Sequence, residues 1–173
     1  MMTILFHFLF VFLAVVAQVS FLTTWPQPVS SINLILSLII FIAVIVSYEK
    51  GLWLAFMGGA LLELYSGMFF GIATLSLILT VMAINFLFTN FFTNRSLYSL
   101  VILGFIGTTG YNLIVMLLMF LFSIFGGRVN LFNYNFWDYF FWQPLLNLLI
   151  LSVIFFAYYI SSGRLKNIFL SPN

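Results

Sequence analysis

Long apolar runs broken by short polar or turn-forming segments dominate the chain. A helix needs about 20 mainly apolar residues to cross roughly 30 Å of hydrocarbon. The breaks cut the 173 residues into six such pieces, at about 2–22, 32–48, 51–65, 72–91, 97–125 and 141–161. The first ends at TTWPQPVSS, where Pro26 and Pro28 cannot continue a helix. Glu49-Lys50 closes the second, SGMFFG turns the third into the fourth, and FTNRS separates the fourth from the fifth. The longest connection is GGRVNLFNYNFWDYF, ahead of the sixth piece. The expected fold is an all-α membrane bundle of six crossing helices in one domain.

An even number of crossings puts both chain ends on one face. Lys50, Arg95, Arg164 and Lys166 then share that face, with Arg128 opposite. This asymmetry is what the positive-inside rule asks of a protein with both ends in the cytoplasm. Merging the third and fourth pieces into one span would send Arg95 outward and weaken it. The first span lacks a basic leading region and an A-x-A site, so it reads as an uncleaved helix.

Composition narrows the function classes. The chain is 65% hydrophobic and 5% charged, whereas soluble domains carry about 25% charged residues. Lipid must be the main solvent. There are no cysteines, so thiolate metal sites and disulfides are excluded, and one histidine, His7, cannot build a metal centre alone. A net charge of +2 does not point to nucleic acid.

A stride of four from the start of the third span gives Gly51, Ala55, Gly59, Glu63, Gly67 and Gly71. Positions four apart share one ridge of a helix. The part up to about Gly67 forms a groove of small residues with one carboxyl near its outer end, and Gly58 widens it. In lipid, close backbone contact drives helices together, and small-xxx-small ridges permit it. The third helix is therefore expected to be central. The fifth span has a matching ridge in Gly104, Thr108 and Asn112, with Gly107 and Tyr111 beside it. The two ridges are expected to cross, which would let Asn112 or Tyr111 bond Glu63.

Glu63 lies past the midplane, about 18 Å along the helix from Gly51. A carboxyl there costs on the order of 3 kcal/mol unless it is neutral, paired, hydrogen-bonded or reached by water. It is either a site for a proton, ligand or partner, or a structural hydrogen-bond anchor. Gln18, Ser76, Thr80, Asn85, Gln143 and Asn147 are further polar positions inside spans, fit to bridge neighbouring helices. The outer aromatic cluster, with Trp137, Asp138, Tyr139 and Trp142, suits either an interfacial segment or a docking surface for a protein.

Catalysis needs a positioned acid, base, nucleophile or metal. Three acidic residues, Glu49, Glu63 and Asp138, share no helix face, and no nucleophile elbow, zinc motif or phosphate loop occurs. The reading is a non-enzyme without cofactor or metal, and with a small-molecule ligand disfavoured.

The order of features resembles the rod shape-determining protein MreD family. The segment GLWLAFMGGALLELYSGMFFGIATL matches that family's third-span signature through Gly51, Gly59, Glu63, Ser66, Gly67 and Gly71. The resemblance covers nearly the whole chain. It departs at Glu63, where the family usually has Asp, and at Ile32-Asn33, where it often has Pro-Asp. It implies a multi-pass scaffold of the bacterial cytoplasmic membrane that binds an MreC-like protein and serves cell-wall (peptidoglycan) elongation and cell shape. The family is similar in fold to the substrate-binding S components of energy-coupling-factor vitamin transporters, which supply the alternative. There Glu63, Asn112 and Trp137 would line a ligand site. Ala14 and Ala17 match poorly the A-x-x-x-A by which such subunits dock on their coupling partner.

Overall fold

A computed structural model describes residues 2–66, 69–92, 96–124 and 136–161, without the side chains of 2–8, 10, 66 and 136–139. These residues form six α-helices and no strand: α1 (Met2–Ser20), α2 (Leu34–Phe41), α3 (Tyr48–Ser66), α4 (Ile72–Phe91), α5 (Leu97–Ile124) and α6 (Phe136–Ser161). Among the described residues, three helical stretches are long and apolar enough to cross a membrane, at Ile72–Phe91, Leu97–Ile124 and Phe140–Ser161. Val11–Thr24 and Leu34–Val46 are shorter apolar stretches. Gly67, Arg95, Arg128, Arg164 and Lys166 lie outside the described residues.

The helices α2 and α3 meet earlier than the Glu49-Lys50 pair suggests. After Phe41, α2 widens into a π-helical turn over Ile42–Val46, and Ser47 is extended. The Ser47 hydroxyl accepts a hydrogen bond from the Lys50 amide at 3.3 Å, so α3 starts at Tyr48. A capping hydroxyl sets this boundary by satisfying an amide in the first turn, and Glu49 there complements the positive helix end. The last helix also starts earlier than its apolar run: α6 begins at Phe136, so Trp137, Asp138 and Tyr139 belong to its first turns rather than to a loop.

The third helix is not the central one. That place belongs to α2, which touches α1, α3, α4, α5 and α6. Six of its eight residues are buried. The glycines of its neighbours explain why. A Cβ on Gly58 of α3 would lie 3.0 Å from Ile35 Cγ2, and one on Gly107 of α5 would lie 2.7 Å from Ile84 Cδ1 of α4 and 3.2 Å from Ile40 Cδ1. Small residues on α3 and α5 are holes that receive the branched side chains of α2, and close contact of this kind holds helices together in lipid. Consecutive helices α3 to α6 pack as neighbours in chain order. Large apolar side chains such as Trp53, Phe86, Leu113 and Leu149 face outward, as expected of a surface bathed in lipid.

Candidate functional site: a buried polar layer

The α3 ridge and the α5 ridge do not cross. Gly51 faces the end of α2, where an added Cβ would lie 2.7 Å from Ala43 Cβ. Gly59 faces α4, where one would lie 2.5 Å from Thr74 Cα. Ala55, between them, is fully buried. Gly104 faces α6, where a Cβ would lie 2.5 Å from Leu151 Cδ1. Each ridge thus presses on its neighbour in sequence. Gly71 lies on neither ridge: it is the cap residue of α4, at φ +96°. Glycine suits this left-handed conformation because it lacks the Cβ that makes it costly.

Glu63 is 4% exposed, and its Oε1 accepts a hydrogen bond of 2.7 Å from the Thr74 amide. Thr74 is the third residue of α4, so its N–H is one of the donors that a helix start leaves unbonded. A cap side chain usually accepts such a bond, but Gly71 has none to offer. The carboxylate of α3 therefore caps α4 from another helix. Lys50, the cation among the described side chains, is about 20 Å away along α3.

The start of α2 uses the same device. Asn33 caps its own helix, its Oδ1 accepting from the Leu36 amide at 3.0 Å. Gln18 of α1 accepts from the Ile35 amide at 3.0 Å. Asn147 of α6 accepts from the Asn33 amide at 2.9 Å. From α5, buried Tyr111 brings its hydroxyl beside the Asn33 side chain. All six helices thus contribute to one polar layer near the end of the bundle where α2 and α4 begin. Backbone groups in lipid must be satisfied within the protein, and this layer does so where two helices start.

Thr108 is buried and bonds its own helix, its hydroxyl donating to the Gly104 carbonyl at 2.9 Å. Asn112 makes no bond to Glu63; its Nδ2 is buried without a partner, as are Gln143 Oε1 and Asn147 Nδ2. The contact of Gly104 with Leu151 sets an antiparallel register that puts Thr108 near Asn147 and Asn112 near Gln143. Trp142 is exposed, and the side chains of Trp137, Asp138 and Tyr139 lie outside the described residues. Among the described residues, no cluster of three metal-ligating side chains occurs.

Thr74 escaped the sequence reading altogether, and Asn33 entered it only as a departure from a motif. A signal for Thr74 existed: a helix that starts at Gly71-Ile72-Ala73 has no local capping side chain. The nearest acid in sequence, Glu63, is the group that supplies one. No family model, no curated protein and no solved structure matches this chain.

Proposed function

We propose that this protein is a non-enzymatic membrane scaffold, crossing the bacterial cytoplasmic membrane six times with both ends in the cytoplasm. Its work is to hold an MreC-like partner within the cell-wall elongation machinery and so to help set cell shape. The observation that carries this reading is the Glu63–Thr74 bond: the one deep carboxyl of the sequence is committed to a helix start. A group so used serves assembly rather than turnover. The resemblance of the third-span segment to the MreD family supplies the partner and the pathway. The arrangement of Lys50, Arg95, Arg164 and Lys166 against Arg128 supplies the orientation.

The test is affinity purification of the tagged chain from its host membrane. An MreC-like protein should come with it, and a cell-shape defect on deletion should be restored by the wild-type gene. A vitamin retained by the purified chain, with no such partner, would replace the scaffold by the alternative. One observation favours that alternative, a vitamin-binding transporter subunit: Asn112 on α5 and Gln143 and Asn147 on α6 hold buried amide atoms without a partner.

A further inference from the structure

An open groove of about 440 Å³ runs along the outside of α3 and α4, lined by Glu49, Leu52, Trp53, Phe56 and Ile78. Glu49 stands at the first turn of α3, and Phe56 lies about 10 Å further along the axis. Leu52 and Ile78 form a half-buried floor. Trp53 and Phe56 form walls, 64% and 53% exposed. Charge gives way along this path to an indole face and then to hydrocarbon. Lys50, the next residue of the same turn, is also exposed and stands at the edge of this face rather than in its lining.

We propose that the groove binds one phospholipid of the adjoining leaflet, with a zwitterionic headgroup ending in a primary ammonium. Glu49 and the face of Trp53 take the ammonium, since a carboxylate and an indole both attract a compact cation. Lys50 takes the phosphate. An acyl chain lies over Leu52, Phe56 and Ile78. The two protein charges, opposite and adjacent, match the two charges of such a headgroup. An anionic lipid without the amine satisfies Lys50 but leaves Glu49 unmatched. A partner helix is a poorer occupant, because the groove is shorter than two helical turns, about 10.8 Å. The proposal rests on the membrane part of the functional reading and not on any protein partner.

The test uses the full chain in nanodiscs of equal phosphatidylethanolamine and phosphatidylglycerol with identical acyl chains. Native mass spectrometry after partial delipidation reads the lipid retained. One phosphatidylethanolamine should stay bound, with a preference of about ten-fold. Glu49→Gln should bring the ratio close to unity, and Lys50→Gln should weaken retention of both lipids. Trp53→Leu, which keeps the wall apolar, should lower the preference part-way and serves if Glu49→Gln is poorly folded. Equal retention by the wild type, or an unchanged preference in Glu49→Gln, overturns the proposal. So does a protein segment cross-linked at Trp53 in place of lipid. A selective groove in a chain that captures no MreC-like partner overturns the scaffold instead.

Discussion

The Glu63 carboxylate and the Thr74 amide are joined across two helices by a bond of 2.7 Å. Four residues before Glu63, Gly59 leaves no side chain between the same two backbones, since a Cβ there would fall 2.5 Å from Thr74 Cα. Thr74 is thus met twice by α3, once by the absence of an atom and once by an acceptor oxygen. The first brings the helices close enough for the second to reach.

Glutamine and leucine at position 63 test the acceptor. Glu63→Gln keeps an oxygen that accepts from the Thr74 amide, so it should stay within about 1 kcal/mol of the wild type. Glu63→Leu leaves the Thr74 amide unbonded, at about 1–3 kcal/mol. Thermal unfolding in detergent reads the difference. Equal melting of the two variants would show that the acceptor contributes nothing.

Alanine at two glycines gives opposite outcomes. Gly59→Ala forces α3 and α4 apart, because the obstructing atoms are backbone, and it should lose about 1–3 kcal/mol. Gly110 on α5 has nothing within 4 Å of an added Cβ. Gly110→Ala should therefore be neutral or stabilising by up to about 1 kcal/mol, through helix propensity alone. The comparison of unfolding midpoints needs both variants in one detergent.

Gly71→Ala should destabilise by about 1–2 kcal/mol even though space is available, because φ +96° is unfavourable for a residue with a Cβ. Its signature is local. Hydrogen exchange at Thr74 and Leu75 should quicken while α6 keeps its protection.

Asn33→Asp retains an oxygen that accepts from Leu36, whereas Asn33→Ala removes it at a cost of about 1 kcal/mol. Aspartate should melt close to the wild type and alanine clearly below it. An aspartate variant as unstable as alanine would mean that Asn33 matters through the amide nitrogen of its side chain instead.

The helical class and the rough extent of each helix were legible in the apolar runs, because lipid leaves few other ways to satisfy a backbone. The ridge Gly51–Ala55–Gly59–Glu63 was legible too, since periodicity places these residues on one side of α3. What they would touch was not. A glycine marks a hole but does not name the knob: Ile35 of α2 fills the hole at Gly58, and Ile84 of α4 shares the one at Gly107 with Ile40 of α2. Hence α2, with few small residues of its own, takes the centre that the small residues of α3 suggested for that helix. The role of Glu63 was narrowed to anchor or functional site, but its acceptor role needed Thr74. That amide is invisible to a search for side-chain partners.

The bond between Glu63 and Thr74 bears on how the chain is made. Until α3 stands beside it, the first turn of α4 has an amide that hydrocarbon cannot accommodate cheaply. The two segments then do best to dock as a pair, closing on the turn at Gly71 before the rest of the bundle gathers round them.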